Sequence, residues 1–111
     1  MSFKVVLMMD TPDFGFDPAL CVYETKLNDV RCDISLEQHN GDQAIYRALF
    51  VAIAKHPNVE LVDISDAICN KNTCSMLSEG RLLYRDNDHL NLIGSQLAGE
   101  ILIQKSKFLS Q

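Results

Sequence analysis

Apolar residues along the chain fall into segments that predict two strands with a helix between them. Phe3 to Met9 is almost continuously apolar, as is typical of a strand covered on both faces in a parallel sheet, and Val59 to Ile64 forms a second predicted strand. From Asp42 to Lys55 apolar residues recur at helical spacing, and Asn40 or Asp42 can serve as N-cap. This order predicts a βαβ unit. The helical apolar positions are Ile45, Leu49, Ala52 and Ile53.

A second helix is predicted from about Leu92 to Lys107, near the C-terminus. Asn91 can cap its first turn, and Lys105 and Lys107 suit the negative end of the helix dipole. Its apolar stripe contains Ile93, Leu97, Ala98, Ile101 and Leu102.

The remaining segments read as loops. No helical period is sustained from Asp10 to about Gly41, and a loop of this length inside a compact domain is typically functional, tied by disulfides, or both. Ser65 to Gly80 is a polar segment that bears two cysteines and has room for one short helical turn.

Size and charge limit the functional classes. The 111 residues suit one domain, spanning residues 1–111, with a single core. The 15 acidic and 10 basic residues give a net charge of −5, and no cluster of Lys or Arg is present, so nucleic acid is not an expected partner. The apolar run from Val5 to Met9 is too short for a signal peptide or a membrane span, so we expect no targeting segment in this chain.

The four cysteines form two local pairs. Their positions favour disulfides Cys21–Cys32 and Cys69–Cys74, which would indicate an oxidising compartment. Two other interpretations stay open at this point: a metal site, which the spacing does not favour because the Cys-x-x-Cys knuckles of zinc modules are missing, and four reduced thiols packed as small apolar residues.

The candidate chemistry lies in the segment Leu83 to Asn91, where Asp86 and His89 form an Asp-x-x-His pair. In acyl transfer, a carboxylate at one imidazole nitrogen fixes the tautomer and leaves the other nitrogen free to deprotonate a hydroxyl. The alternative is that these polar residues only form a turn and cap the following helix. We expect Asp88 to be solvated and His39 and His56 to be exposed turn residues.

The segment Leu83–Asn91, with Gly94 after it, resembles the last conserved block of the SGNH (GDSL-type) hydrolase superfamily. More narrowly, it is similar to the C-terminal SGNH domain of family-three membrane acyltransferases, which O-acetylate bacterial surface polysaccharides. The strand that ends near Pro12 and the Asp63-Ile64 step before the Cys69 and Cys74 pair fit this group. Asn91 stands where the group usually has Ser, and both are good N-caps.

The resemblance implies an α/β fold, a partial three-layer, flavodoxin-like parallel sheet with flanking helices. It also implies that the chain is the back half of such a domain, with Asp86 and His89 as catalytic residues. The Gly-Asp-Ser block of the nucleophile has no match: Gly41-Asp42-Gln43 has Gln in place of Ser, and Ser65 and Ser95 lack the Gly-Asp context. We therefore expect no activity from this chain by itself.

The resemblance further implies a saccharide or acyl-ester substrate in the intact protein, no cofactor and no metal. It implies a periplasmic or other extracytoplasmic location, with a membrane reached only through a separate N-terminal domain. An incomplete sheet would also favour a homodimer through its exposed edge. The alternative from another class is a small non-catalytic α/β binding or interaction module, and a third is a complete esterase that uses an unrecognised Ser.

Overall fold

The computed structural model describes residues 3–23 and 32–109. The elements in chain order are β1 (Val5–Met9), α1 (Pro18–Tyr23), β2 (Asp33–Ser35), α2 (Leu36–Ile53), β3 (Val59–Asp63), a 3-10 helix (Ile64–Ala67), β4 (Thr73–Ser75), β5 (Leu77–Ser78), β6 (Arg81–Leu82) and α3 (Leu92–Lys105). Within these described residues, no helix is both long and apolar enough to cross a bilayer.

A two-stranded parallel sheet, formed by β1 and β3, lies at the centre of the part of the fold that carries the Asp-x-x-His segment. β1 pairs with β3 in a register that places Val5 beside Val59 and Met9 beside Asp63, which confirms the predicted parallel pair with a helix between its strands. Alternate residues of a strand point to opposite faces. Val62 packs with Ala98 of α3, whereas the neighbouring Asp63 pairs with a side chain of α2, so the sheet lies between the two long helices.

The larger apolar core lies beside this sheet. β2 pairs with β4, and β5 pairs with β6, both antiparallel. Two disulfides, Cys21–Cys32 and Cys69–Cys74, join the surrounding segments, which is the pairing that the sequence favoured. The buried residues of this core are Phe14, Cys21, Ile34, Ile68, Cys74, Met76, Leu83 and Tyr84.

The predicted start of α2 at Asp42 was wrong by six residues. The helix begins at Leu36, and the Ser35 hydroxyl accepts a hydrogen bond from the amide of Gln38 as N-cap. Asn40 and Gly41, which read as turn residues in the sequence, therefore lie inside the helix. Ser35 is a weak sequence signal for the start of a helix, because it ends a three-residue strand that is fixed only by the pairing of β2 with β4.

The two predicted loops contain more regular structure than the sequence indicated. The segment from residue 10 to residue 41 includes α1, β2 and the first six residues of α2, although residues 24–31 lie outside the described part. The segment from residue 65 to residue 80 includes β4 and β5. These elements are short, so their stability depends on tertiary pairing and on the disulfides rather than on a local pattern.

The prediction that β1 is covered on both faces was also wrong. Val5 and Met8 are exposed, and only Met9 is fully buried. The prediction for α3 was accurate: the helix begins at Leu92 with the Asn91 side chain accepting from the amide of Gly94, and it ends two residues earlier than expected.

Candidate active site

The Asp86 side chain organises the turn that carries both candidate residues. Its Oδ1 accepts hydrogen bonds from the backbone amides of Asp88 at 3.0 Å and His89 at 2.7 Å. The amide of Arg85 donates to the carbonyl of His89, which closes the turn before α3. Short polar side chains favour such local bonds to the backbone. The same carboxylate that folds the turn therefore lies next to the imidazole.

The segment after β1 braces this turn from the other side. The Tyr84 hydroxyl donates to the carbonyl of Pro12 at 2.8 Å, and the Tyr84 ring packs edge-on against Phe14 with centroids 4.8 Å apart. The Phe14 amide donates to the carbonyl of Asn87. The segment after β1, which is distant in sequence, thus fixes the position of the turn relative to the sheet.

One ring nitrogen of His89 faces two carboxylates. Its Nδ1 lies 3.0 Å from Oδ1 and 2.9 Å from Oδ2 of Asp86, as expected from the sequence spacing. Asp88 is exposed, as expected, and its Oδ1 also lies 3.0 Å from the same nitrogen, a contact that was not predicted. The Asp88 side chain follows the turn that Asp86 folds, and this brings it back to the ring.

The environment of Asp86 keeps its carboxyl group ionised. The hydrogen bond from the Asp88 amide is the main cause that lowers the pKa of Asp86 to about 2, and the backbone and ring of His89 contribute to the same direction. An ionised carboxylate only accepts hydrogen bonds. Nδ1 of a neutral His89 ring must therefore carry the proton toward Asp86, and Nε2 keeps its lone pair.

His89 lines a cavity of about 420 Å³ at the carboxyl ends of the two parallel strands. Asp10 follows β1, Ile64 follows β3, and Ser95 of α3 lines the same cavity. Ligands of open α/β sheets bind in crevices at this edge of the sheet. The His89 side chain is 60% exposed, so the described residues cover the site on one side only.

Comparison with known proteins identifies the family. The family model for the SGNH domain (fused to AT3 domains) matches residues 1–104. The chain belongs to this SGNH family. No curated protein and no solved structure gives a significant match. Membership confirms the resemblance seen in the sequence, and the α/β fold with its small sheets agrees with a hydrolase- or acyltransferase-like SGNH domain.

A second and larger cavity, of about 900 Å³, is lined by α2 and by the segment that follows β3 in this SGNH domain. It opens between α2 and the segment from Asp63 to Lys71. Arg47 of α2 donates to Oδ2 of Asp63 at 2.9 Å and to Oε1 of Gln43 at 3.1 Å. His89 does not line this cavity, so the larger volume does not mark the site of the Asp-His pair.

The Arg47 network was not predicted, because its members are separated in sequence and only the βαβ packing brings them together. Burial by itself would raise the pKa of Asp63, but hydrogen bonds from Ser65 and Arg47 outweigh it and lower the pKa. Gln43, the last residue of the Gly-Asp-Gln step, donates from Nε2 to the carbonyl of Asp10 at 2.6 Å. This step is therefore part of α2 and holds the end of β1.

The prediction that His39 is an exposed turn residue was wrong, because the predicted start of α2 was wrong. His39 lies in the second turn of α2 with 1% of its surface exposed, and neither ring nitrogen has a partner within the described part of the chain. Burial lowers the pKa of His39, which is therefore neutral at pH 7. His56 is exposed, as expected, and its Nδ1 accepts from the Asn58 amide.

The two serines that the sequence offers as candidate nucleophiles, Ser65 and Ser95, differ in position. Ser65 is buried beside Asp63, whereas Ser95 lies on the exposed side of α3 and lines the His89 cavity. Within residues 3–23 and 32–109, no hydroxyl group makes a hydrogen bond to His89. Asp86, Asp88 and His89 also offer ligand atoms within 4.8 Å of one another that could hold a cation, although exposed acidic groups of this kind are common without one.

Proposed function

We propose that this SGNH domain supplies the acid–base pair of an extracytoplasmic O-acyltransferase or esterase that acts on acyl esters of cell-surface saccharides. One observation carries the proposal: Asp86 holds Nδ1 of His89 at 2.9 to 3.0 Å, while the ring lines a cavity at the carboxyl edge of the sheet. Membership of a family fused to acyltransferase-3 domains supports the reaction class and the location.

In the proposed reaction, Nε2 of His89 removes the proton of a serine hydroxyl as its oxygen attacks the acyl carbonyl carbon. The bond from this carbon to the leaving oxygen then breaks, and the imidazolium returns the proton to that oxygen. A saccharide hydroxyl or water then attacks the same carbonyl carbon while Nε2 of His89 removes its proton. The bond from this carbon to the serine oxygen breaks, and the imidazolium returns the proton to the serine. Asp86 stabilises the imidazolium and fixes the tautomer throughout.

Asp86 is the main orienting carboxylate, although Asp88 touches the same nitrogen. Both oxygens of Asp86 lie within 3.0 Å of Nδ1, and two backbone amides hold its Oδ1 in place. Asp88 contributes one oxygen. Replacing Asp88 should therefore disturb the ring less than replacing Asp86.

The serine nucleophile is proposed to come from a polypeptide segment with the Gly-Asp-Ser block, which has no match in the 111 residues. Ser95 is the alternative, because it lines the same cavity as His89. An active Ser95 would make the chain a complete esterase.

The orientation of His89 can be tested on the chain itself by ¹⁵N NMR of its histidine side chains. We expect the wild-type ring of His89 to carry its proton on Nδ1. Asp86→Asn should shift the ring toward the Nε2 tautomer, as the loss of an orienting carboxylate does in a serine triad, and Asp88→Asn should shift it less. Equal tautomer populations in the wild type and Asp86→Asn would contradict the orienting role.

The reaction can be tested by adding a separately expressed Gly-Asp-Ser segment of an SGNH domain and measuring the cleavage of an acetyl ester. His89→Ala should lower the rate by about 10²-fold to 10⁴-fold, because it removes the general base. His56→Ala is the matched control, since His56 is an exposed histidine outside both cavities.

Three outcomes would overturn parts of this proposal. A rate unchanged by His89→Ala would exclude its catalytic role. Turnover by the chain alone that Ser95→Ala abolishes would assign the nucleophile to Ser95. A lack of turnover in every mixture, with saccharide binding that survives Asp86→Asn, would favour the non-catalytic binding module.

A further inference from the structure

The larger cavity lies between one stripe of α2 and the segment that follows β3. Its volume of about 900 Å³ falls within the range of about 300 to 1,000 Å³ that is typical of ligand pockets. Residues of a helix that are three and four positions apart lie on one side, and the small alanines of this stripe leave the space open. The stripe contains Leu36, Asn40, Ala44, Arg47 and Ala48.

Arg47 is a cationic donor that is already held in place at this cavity. Its Nη2 atom donates to Oδ2 of Asp63 and to Oε1 of Gln43, which fixes the orientation of the guanidinium group. Its Nη1 and Nε atoms have no acceptor within residues 3–23 and 32–109. A side chain with a fixed orientation loses little entropy on binding, and charged donors bind carboxylates more strongly than neutral donors do. Arg47 is therefore preorganised for an anionic group.

The segment opposite α2 contributes further donors to the cavity. Oδ1 of Asn70 accepts from the amides of Asn72 and Thr73 at 2.8 Å, so its Nδ2 group remains as a donor. Lys71 lines the same wall, and it forms no ion pair within the part of the chain that the structure describes. Asn40 contributes a side-chain amide from the helix. Donors thus face the cavity from both walls.

The two carboxylates of the cavity already have cationic partners. Asp63 pairs with Arg47 at 2.9 Å, and Asp66 pairs with Nζ of Lys105 at 2.6 Å. Their negative charges are therefore balanced, whereas the positive charge of Lys71 has no balancing carboxylate among the described residues. This distribution favours an anionic ligand over a cation.

The larger cavity also adjoins the cavity of His89. Asp63 and Ser65 line the larger cavity, and Ile64 between them lines the cavity of His89. The Cα atoms of Asp63 and Ser65 lie no more than about 7 Å apart, so one short segment separates the two cavities. A ligand made of linked units can therefore place one unit in each cavity.

We propose that the larger cavity binds a saccharide unit that carries a carboxylate, as a uronic acid does, while a neighbouring unit lies at His89. The saccharide nature of the ligand rests on the proposed function, whereas its carboxylate is inferred from the donors and charges of the cavity. The carboxylate accepts hydrogen bonds from Arg47 and Lys71, and the ring hydroxyls bind the amides of Asn40 and Asn70. The apolar C–H groups of the ring pack on the alanines of α2.

Titration of the ¹⁵N-labelled chain with trigalacturonate, followed by NMR of the backbone amides, tests the site. We expect the largest shifts at the amides that line the cavity, such as those of Ala44, Asn70 and Lys71. The methyl ester of the same trisaccharide is the matched ligand control, because it lacks the negative charges. It should bind at least about tenfold more weakly. Equal affinity for the two ligands, or no shift at these amides, would overturn the proposal.

Substitutions separate the contribution of charge from that of shape. Lys71→Gln should raise the Kd for trigalacturonate by about threefold. Lys55→Gln is its control, since Lys55 is exposed and lines neither cavity. Ala44→Leu should raise the Kd by at least about tenfold, because the larger side chain fills the cavity. Ala52→Leu, at an exposed alanine of α2 outside the cavity, should bind as the wild type does. Wild-type affinity in both Lys71→Gln and Ala44→Leu would overturn the proposal.

Two further measurements separate this site from the Asp-His pair. His89→Ala should lower the rate of ester cleavage in the mixture with the Gly-Asp-Ser segment, but it should leave trigalacturonate binding unchanged, because His89 does not line the larger cavity. Cleavage that depends on His89, without trigalacturonate binding, would overturn the uronate site and retain the proposed function. Loss of binding on addition of the Gly-Asp-Ser segment would show that this segment fills the cavity, and it would also overturn the uronate site.

Discussion

α3 and α2 flank the same two strands, but they use their apolar residues in opposite ways. In α3, Ala98 is buried against Val62. In α2, the buried residues are His39 and Gln43, while most of the apolar stripe is exposed. The comparison shows that an apolar period indicates which side of a helix favours burial, whereas the neighbouring elements decide which side is buried.

The two helices also differ in the contacts that hold them in place. α3 begins with an Asn91 cap and approaches the chain closely at Gly94, so apolar packing and backbone contacts fix it. α2 is fixed by polar contacts to the strand ends, from Gln43 to Asp10 and from Arg47 to Asp63. Polar contacts hold α2 in place without removing much apolar surface from water, so Ile45, Leu49 and Ile53 remain exposed.

Among the substitutions that test this comparison, Gly94→Ala should have the largest effect on the free energy of unfolding. A Cβ atom at Gly94 would overlap the carbonyl oxygen of Leu83 and would lie 2.9 Å from Cδ2 of Leu90. Gly94→Ala should lower the free energy of unfolding by about 3 kcal/mol, because backbone must move. Urea denaturation measures this loss. The control is Gly99→Ala in the same helix, where nothing lies within 4 Å and we expect a gain of up to about 1 kcal/mol. Equal stability of the two variants would contradict the close approach.

Truncation of one leucine in each helix tests the difference in burial directly. Leu97 of α3 packs against the larger core, so Leu97→Ala should cost about 2 kcal/mol of unfolding free energy. Leu49 of α2 is exposed, so Leu49→Ala should change the unfolding free energy of the monomer by no more than about 0.5 kcal/mol. Denaturation at low protein concentration measures both. A large loss for Leu49→Ala would mean that Leu49 is buried rather than exposed.

The smallest expected effect is a pH dependence from His39. Burial holds the pKa of His39 below 6.5 in the folded chain, and Arg47 adds to this while Asp63, Asp42 and Asp10 oppose it. The unfolded chain therefore takes up a proton near pH 6.5 that the folded chain does not bind. Stability is fully present above pH 6.5 and falls as the pH decreases toward the folded pKa, by at most about 1.4 kcal/mol per pH unit.

Unfolding free energies between pH 7.5 and pH 5.5 check this expectation in two variants. His39→Leu should remove most of the decline and should not destabilise the chain at neutral pH, because it removes two buried nitrogens that have no partner in the described chain. His56→Gln should keep the decline, since His56 is exposed. A decline that persists in His39→Leu would assign the effect to other groups.

The sequence predicted those elements whose signals are local and strong. β1, β3 and α3 have continuous or periodic apolar residues, and their positions were correct to within a few residues. The predicted start of α2 was wrong because Asn40 and Gly41 are turn residues by composition, and the Ser35 cap with the contacts of Leu36, Gln43 and Arg47 outweighs this preference. β2 and α1 were not predicted, because three to six residues carry too little local signal.

The candidate site shows the same division. The contact between Asp86 and His89 could be predicted, since three residues of a tight turn bring the two side chains together whatever the rest of the fold does. The contact of Asp88 with the same ring nitrogen depends on the detailed path of the turn. The cavity beside His89 is lined by residues from Met8 to Ser95, which are 87 positions apart in the sequence, and no local pattern predicts that such distant residues meet.

The sequence by itself determined the positions of β1 and β3, the C-terminal helix with its cap, and the contact between Asp86 and His89, because each depends on residues within a few positions of one another. The tertiary structure decided which side of α2 is buried and where the ring of His39 lies. These features depend on which surfaces come into contact, because apolar surface stabilises the fold only when a neighbouring element removes it from water.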